Sequence, residues 1–150
     1  MLLSSSNQCN NNNNHARIPN PPSILIVDDE IDIISVVRRL LEEYGFNTCC
    51  FTKPSIALEH YKMSSNNHNL VISDLQMPNM NGFEFIRKVK EINSNTKVFL
   101  MTSSFEVSDL GLLLLSNNSA SINLMIDEFI LKPFSIQKLI ILIRKHMGIT

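Results

Sequence analysis

The stretch Ser23-Ile-Leu-Ile-Val27, which is followed directly by Asp28 and Asp29, decides the fold. Its continuous apolar run, rich in β-branched residues, is typical of a strand that is covered on both faces in a parallel sheet. Four similar short runs follow, at residues 48–51, 70–73, 97–101 and 129–131, and segments with helical periodicity separate them. Strands that alternate with helices predict five βα units, arranged as an open α/β fold with helices on both faces of the sheet.

The segment after the first strand shows the helical periodicity most clearly. Its apolar residues Ile33, Val37, Leu40 and Tyr44 recur at helical spacing and predict the buried stripe, and Gly45 predicts the end of the helix. Further helices are predicted over residues 54–63, 82–92, 106–115 and 136–147.

Composition limits the chain to one domain and to few classes of partner. Its 150 residues are 44% hydrophobic and 18% charged, which suffices for a single buried core. A net charge of -1 predicts no direct contact with nucleic acid, because proteins that bind it carry a basic surface. No apolar run approaches the roughly 20 residues that cross a bilayer, and no signal peptide is recognisable. We therefore expect a cytoplasmic protein that does not contact the membrane.

Residues 1–22 form a polar leader, which contains the tract Asn10–Asn14 and is predicted to be a flexible tail. The three cysteines are an odd number, and Cys49 and Cys50 are adjacent, which favours neither a disulfide framework nor a zinc site. One of these two cysteines is expected to pack inward as a small apolar residue. The four histidines show no ligand spacing and are predicted to lie at the surface or its boundary.

Side chains with phosphate or metal chemistry follow four of the five predicted strands. Asp28 and Asp29 follow the first strand, Asp74 the third, Thr102 the fourth and Lys132 the fifth. In open α/β sheets, ligands bind outside the carboxyl ends of the strands, so these residues are expected to share one edge. Each residue alone also fits an ordinary role as a helix cap or a solvated side chain. The combination predicts a functional site.

The chemistry of that predicted site is specific. Three carboxylates repel one another unless a cation holds them, and Mg²⁺ suits the site because it takes few protein carboxylates and bridges to phosphate oxygens. Lys132 supplies a mobile positive charge, and the hydroxyl of Thr102 can donate to a phosphoryl oxygen. These are the groups required for in-line transfer of a phosphoryl group to an aspartate oxygen.

Four motifs together resemble the receiver domain of two-component response regulators. They are Ile24-Leu-Ile-Val-Asp-Asp-Glu30, Ser73-Asp-Leu-Gln-Met-Pro78 with Asn81-Gly82, Met101-Thr-Ser103, and Phe129-Ile-Leu-Lys-Pro-Phe134. The resemblance covers about residues 23–148 of the chain. It implies a flavodoxin-like, doubly wound sheet of five parallel strands in the order 2-1-3-4-5. The receiver domain would cover residues 23–150, with an extended segment at about 105–128 where the family is usually shorter.

The resemblance also implies roles for individual residues at the strand ends. Asp74 would accept a phosphoryl group from a sensor histidine kinase or a phosphotransfer protein, and Thr102 and Lys132 would contact the phosphoryl oxygens. The implied Mg²⁺ ligands are Asp28, Asp29, Asp74 and the backbone carbonyl of Gln76. Phe129 would be the switch aromatic, although plain core packing is the alternative for this ring. Pro133 would follow a cis peptide bond that fixes the direction of Lys132.

Signalling is expected to pass through a partner rather than through an attached enzyme. Only Gly148, Ile149 and Thr150 follow the last predicted helix, so the chain is expected to be a stand-alone receiver that is not an enzyme beyond its own phosphorylation and dephosphorylation. The leucines of 110–115 and the residues Ile141 and Leu142 exceed what a buried stripe needs, which indicates an unknown downstream partner or a phosphorylation-dependent homodimer. The alternative is that the extended segment covers these residues.

Two other functions share parts of this chemistry. A Mg²⁺-dependent phosphohydrolase with an aspartyl-phosphate intermediate, similar to haloacid-dehalogenase-like enzymes, would need its nucleophile in an Asp-x-Asp motif after the first strand. Here Asp28 and Asp29 are adjacent and Asp74 follows the third strand. A receiver-like scaffold that works without phosphorylation is the third hypothesis, and the complete acidic set argues against it.

Overall fold

The apolar runs of the sequence form one sheet in the computed structural model of the protein, which describes residues 9–10, 20–103 and 124–149. The helix predicted over 106–115 lies outside these residues, as does most of the extended segment. The described elements are β1 (Cys9–Asn10), β2 (Ser23–Val27), α1 (Ile31–Glu43), β3 (Asn47–Phe51), α2 (Pro54–Ser64), β4 (Leu70–Asp74), α3 (Gly82–Ile92), β5 (Lys97–Ser103), β6 (Glu128–Lys132) and α4 (Ile136–Met147).

The strands lie in the order β1-β3-β2-β4-β5-β6, and β2 to β6 are all parallel. Counted as five parallel strands along the chain, this is the order 2-1-3-4-5, so the predicted doubly wound, flavodoxin-like sheet is confirmed. The order reverses beside β2, which places a topological switch point between β2 and β4, the position where open α/β sheets bind ligands. Within the described part of the chain, no helix combines the length and the apolar character needed to cross a membrane.

Both faces of the sheet are buried, as the unbroken apolar run of β2 predicts. Leu25 and Val27 pack on the face covered by α2 and α3, whereas Ile24 and Ile26 pack on the face covered by α1 and α4. All four side chains are at most 1% exposed. Because successive residues of a strand point to opposite faces, each helical layer receives its own half of the apolar run.

The buried stripe of α1 differs from the predicted one. Ile34, Val37 and Leu41 are buried, whereas Ile33 and Leu40 are only half-buried. Both sets satisfy helical periodicity, and the sheet selects the set that is rotated by one residue. Of the predicted stripe, Val37 is therefore confirmed as a core residue and Ile33 and Tyr44 pack partly against the core, while the centre of the buried stripe is shifted toward Ile34 and Leu41.

A sixth strand, β1, comes from the leader. Cys9 and Asn10 pair antiparallel with Cys49 and Thr48 of β3, and a disulfide joins Cys9 to Cys49. The expectation that the cysteines form no disulfide was therefore wrong. The odd number of cysteines leaves Cys50 as a thiol, buried on the opposite face of the sheet from Cys49.

Two histidines meet beside this disulfide. His68 is 5% exposed, and its Nε2 lies 3.0 Å from Nε2 of His60. The prediction of surface histidines was wrong for His68, which is buried. The end of α2 brings its ring against that of His60, eight residues earlier in the sequence. His146, half-buried, lies 2.9 Å from Oε1 of Glu128.

Candidate functional site at the carboxyl ends of the strands

Neighbouring strands bring the polar residues of the sequence to one edge of the sheet. Asp28 directly follows β2, Asp74 ends β4, Thr102 lies near the end of β5 and Lys132 ends β6. The parallel register sets Asp74 beside Met101 and sets Thr102 one residue before the partner of Lys132. The shared edge expected from the sequence is therefore present.

Three carboxylates form the centre of the site. Carboxylate oxygens of Asp28, Asp29 and Asp74 all lie within 4.8 Å of one another. Asp28 is fully buried and Asp74 is 6% exposed, whereas Asp29 is exposed. The backbone N–H of Glu30 donates to Oδ1 of Asp28 at 2.9 Å, which fixes the inner carboxylate at the start of α1.

Lys132 connects two of these carboxylates. Its Nζ donates to Oδ2 of Asp28 at 2.7 Å and to Oδ1 of Asp74 at 3.1 Å. Burial lowers the pKa of Lys132, but the hydrogen bonds and charges of Asp28 and Asp74 outweigh it, so the net direction is upward and the ammonium keeps its charge. The Lys132–Pro133 peptide bond is cis, as expected.

The carboxyl group of Asp74 shows the electrostatic cost of this arrangement. Burial first, and then the negative charge of Asp28, raise the pKa of Asp74 to about 6, against the lowering effect of Lys132. A divalent cation would reverse this effect because it favours the ionised carboxylate. The donor set of three carboxylates fits Mg²⁺, which prefers oxygen ligands.

The remaining predicted site residues occupy different surroundings. Thr102 is fully buried, and its hydroxyl donates to the carbonyl oxygen of Ser103 at 3.3 Å. Gln76 is exposed, two residues after Asp74 in the loop that leads to α3. Phe129 is 38% exposed on β6, so its ring is not a fully buried core group.

The turn beside Asp74 depends on a glycine. The N–H of Gly82 donates to the carbonyl oxygen of Leu75 at 2.8 Å. A Cβ atom at Gly82 would overlap the carbonyl oxygen of Asp74, and it would lie 2.8 Å from a methyl carbon of Leu100. Asn81 caps α3 by accepting a hydrogen bond from the N–H of Glu84 at 2.9 Å. The chain passes the acidic cluster this closely only because residue 82 has no side chain.

An apolar groove of about 730 Å³ adjoins the site and was not predicted from the sequence. Ile33, Val36 and Leu40 of α1 form one wall, and Pro133 and Phe134 lie across from them. Val36 is 58% exposed, and Lys132 also lines the groove. The additional apolar residues of α1 indicated this groove in the sequence. It was missed because Ile33 and Leu40 were assigned to the predicted buried stripe.

Comparisons with known proteins agree with the geometry. The family model of the response regulator receiver domain matches residues 24–144. Response regulator ArlR of Staphylococcus saprophyticus is 30% identical over 121 residues, which are 81% of this chain and 50% of that protein. Sensor protein EvgS of Escherichia coli is 34% identical over 92 residues, which are 61% of this chain and 8% of that protein. The chain thus spans about half or less of the length of these curated relatives.

Solved structures show the same fold. A response regulator receiver domain protein from Clostridium thermocellum has a TM-score of 0.74 at 24% identity, covering 85% of this chain and 94% of that one. A CheY-like receiver domain protein from Methanospirillum hungatei has a TM-score of 0.69 at 23% identity, covering 85% and 94%.

The fold and the acidic edge define a flavodoxin-like α/β domain with a carboxylate site at the ends of its parallel strands. Since the family model matches most of its length, the chain belongs to the response regulator receiver domain family. Receiver domains of this family belong to two-component systems, in which phosphorylation is the family function, and they generally act in signalling rather than as enzymes.

Proposed function

We propose that this chain accepts a phosphoryl group on Asp74, in a Mg²⁺-dependent reaction, from a phosphohistidine of a sensor histidine kinase or a phosphotransfer protein in the cytoplasm. The observation that carries the proposal is the convergence of Asp28, Asp29 and Asp74 within 4.8 Å of one another. Lys132 contacts two of the three carboxylates, which supplies the positive charge that a phosphoryl group requires.

Asp74 has a carboxylate oxygen available as a nucleophile, whereas Asp28 has none. Both oxygens of Asp28 accept hydrogen bonds, one from the N–H of Glu30 and one from Lys132. Of the two carboxylate oxygens of Asp74, only Oδ1 accepts a hydrogen bond from the described residues. A free carboxylate oxygen of Asp74 attacks phosphorus, an O–P bond forms, the N–P bond breaks, and its electron pair returns to the imidazole nitrogen.

Lys132 and the proposed Mg²⁺ together neutralise the negative charge of the phosphoryl group. Lys132 contacts Oδ1 of Asp74 in the resting site, so its ammonium lies beside the carboxyl group to which the phosphoryl group becomes attached. Asp28, Asp29, Asp74 and the backbone carbonyl of Gln76 would hold Mg²⁺, which when bound neutralises carboxylate and phosphoryl oxygens. The buried hydroxyl of Thr102 is the proposed donor to a further phosphoryl oxygen.

The first test is labelling with acetyl phosphate and Mg²⁺, measured by intact mass. We expect one phosphoryl group per chain, which EDTA abolishes and which Asp74→Asn lacks. Asp32→Asn serves as the matched control, since Asp32 is an exposed acid in the first turn of α1 and lies outside the carboxylate cluster. Undiminished labelling of Asp74→Asn would exclude this acceptor, and failure of the wild-type chain both to label and to bind beryllofluoride would exclude the phosphorylation function.

The apolar groove is the proposed docking position for a helix of the phosphohistidine-bearing partner. It is open and apolar, and it has Lys132 in its lining, so a helix seated there lies next to the acceptor site. A helix with apolar residues three and four apart fits such a groove. Val36, which is 58% exposed on α1, would then lie in the interface centre.

The docking proposal predicts that phosphotransfer from a protein donor depends on the groove, whereas labelling by a small donor does not. Val36→Asp should slow phosphotransfer from a phosphorylated kinase or phosphotransfer protein about tenfold or more, equivalent to about 1.4 kcal/mol, because it buries a charge in an apolar contact. Labelling by acetyl phosphate should be unchanged. Ile56→Asp is the matched control, since Ile56 is 45% exposed on α2 and does not line the groove. Equal slowing by both variants would contradict the docking position.

Output is proposed to pass through β6 and α4 to a downstream protein or a second copy of the chain. Leu131 is 51% exposed on β6, and Ile141 is 65% exposed on α4. Leu142, in contrast, packs partly against the core, so the predicted surplus on this helix reduces to Ile141. Residues 110–115 lie outside the described part of the chain. Light scattering with and without beryllofluoride tests the homodimer, and a monomeric mass in both states would exclude it. Phe129 remains the proposed switch aromatic, and Pro133, which fixes the direction of Lys132, is proposed as the second switch residue.

A further inference from the structure

A second cluster of metal-binding side chains lies at the opposite edge of the sheet from β6. Sγ of Cys9, Sγ of Cys49 and a ring nitrogen of His60 all lie within 4.8 Å of one another. Nε2 of His60 is 3.6 Å from Sγ of Cys9 and 3.0 Å from Nε2 of His68. Two sulfurs and the ring of His60 therefore converge where β1 meets β3 and α2, and the ring of His68 adjoins this group through its contact with His60.

We propose that Cys9, Cys49, His60 and His68 bind Zn²⁺ as a four-coordinate site when the Cys9–Cys49 disulfide is reduced. Two thiolates and two imidazoles are a ligand set that zinc takes in structural sites. The proposal depends on the proposed function only through the cytoplasmic location. Disulfides are rare in the cytoplasm, so the two cysteines would be thiols there.

The distances around His60 match this coordination. With Zn–S bonds of about 2.3 Å and Zn–N bonds of about 2.0–2.1 Å, tetrahedral geometry sets sulfur and nitrogen about 3.6 Å apart and two nitrogens about 3.3 Å apart. The observed separations are 3.6 Å for Cys9 to His60 and 3.0 Å for His60 to His68. Reduction converts the covalent contact between the sulfurs into a non-bonded one, which lets them separate to the roughly 3.8 Å of two zinc-bound thiolates.

A second hydrogen bond orients the buried histidine. Nδ1 of His68 lies 3.1 Å from the hydroxyl of Ser23 and can donate to it, which leaves the lone pair of Nε2 directed at His60. Zinc-binding histidines generally have their second ring nitrogen fixed by such a partner. The hydroxyl of Ser64 donates to the carbonyl oxygen of His60 at 2.6 Å and lies 3.2 Å from Nε2 of His68, a contact that zinc at this nitrogen would replace.

Zinc binding takes place in two steps, reduction of the disulfide and then metal binding. Two equivalents of a thiol reduce the Cys9–Cys49 bond, so two S–H groups form on the protein and one disulfide forms on the reductant. Zn²⁺ then replaces the two thiol protons, which pass to solvent. Access is available because Cys9 is exposed and His60 is half-buried, although Cys49 and His68 are buried. The metal would join β1 to β3 in place of the disulfide.

The test uses Co²⁺ as a spectroscopic substitute for zinc on the full-length chain. The protein is reduced with a phosphine, freed of reductant under anaerobic conditions, and titrated with Co²⁺ in excess Mg²⁺, which competes with Co²⁺ for the carboxylates of the acidic cluster. We expect a thiolate-to-cobalt charge-transfer band that equimolar Zn²⁺ abolishes. The oxidised protein should show none, because it has no thiolate at this site.

Variants assign the ligands. Cys9→Ser, His60→Gln and His68→Gln should each weaken cobalt binding about tenfold or more, at least the loss that follows removal of an outer-shell partner. Cys50→Ala and His146→Gln are the matched controls and should bind as the wild type does. Cys9→Ser is the primary variant, since Cys9 is exposed and lies outside the core.

Three results would overturn the proposal. The reduced wild type could show no thiolate band, which would make the cysteine pair a disulfide only. Cobalt affinity could be unchanged in Cys9→Ser or in His68→Gln, or the band could depend on Cys50. None of these measurements uses phosphorylation, so a chain that binds cobalt through thiolates but takes no phosphoryl group would refute the proposed function alone.

Discussion

Replacement of Asp74 by asparagine should stabilise the metal-free fold. Asp74 is 6% exposed and shares its site with the fully buried Asp28, and burial together with that neighbouring charge raises its pKa from 3.8 to about 6. A change of this size corresponds to about 3 kcal/mol if it acts in full. Because solvent reaches part of the carboxyl group and screens it, we expect about 1–2 kcal/mol. Asparagine keeps an oxygen that can accept from Lys132, so the variant removes mainly the charge.

The pH dependence of this effect has a definite sign. The folded state holds the proton of Asp74 more tightly than the unfolded state does, so ionisation destabilises the fold above about pH 6. The penalty diminishes as the pH falls through about 6 and vanishes below 3.8, the ordinary pKa. The stabilisation by Asp74→Asn should therefore be full at pH 7.5 and nearly absent at pH 4.

Urea unfolding in EDTA, followed by circular dichroism because the chain contains no tryptophan, measures this effect. Asp29→Asn is the control and should change the free energy of unfolding less, since Asp29 is exposed and its charge is the last of the contributions to the Asp74 pKa. Excess Mg²⁺ should cancel or reverse the gain in Asp74→Asn. Equal free energies for wild type and Asp74→Asn at pH 7.5, or a gain that persists unchanged at pH 4, would refute the electrostatic reasoning.

Three further predictions follow from local geometry. Gly82→Ala should lower the free energy of unfolding by about 1–3 kcal/mol, because its Cβ overlaps the carbonyl oxygen of Asp74, and a urea midpoint equal to wild type would contradict this. Asn81→Ala should cost about 1 kcal/mol by removing the cap on the N–H of Glu84, whereas Asn81→Asp should retain most of the stability. Burial raises the pKa of the Cys50 thiol to about 12, so iodoacetamide at pH 8 should label it only after denaturation; labelling of Cys50 in the native protein would count against that burial.

The parallel sheet and the acidic edge were predictable from the sequence because both depend on local patterns. The run that ends at Asp28 is a strand with two buried faces, and α3 begins and ends at the predicted residues 82 and 92. Once the strands are parallel, their carboxyl ends share an edge whatever the details of packing. Asp74, Thr102 and Lys132 follow from that rule alone.

The features that the sequence did not predict depend on contacts between distant residues. The rotation of α1 was ambiguous because Ile33 and Ile34 both fit a period of 3.6 residues, and only contact with the sheet distinguishes them. Cys9 lies in a polar leader with no strand pattern, and it reaches Cys49 through two backbone pairs across a separation of 40 residues. The number of cysteines in the sequence does not predict this pairing.

The pairing of β1 with β3 also changes the edge that the sheet presents to other molecules. An edge strand presents unpaired N–H and C=O groups, which makes it a template for strands of other molecules and for aggregation. Here Cys9 and Asn10 take up the pairing positions of Cys49 and Thr48 on the open side of β3. A strand from another chain can add at those positions only by displacing β1. At these two positions Cys9 and Asn10 therefore replace the open edge of β3 with an edge strand of only two residues, which is a poor template for edge-to-edge polymerisation.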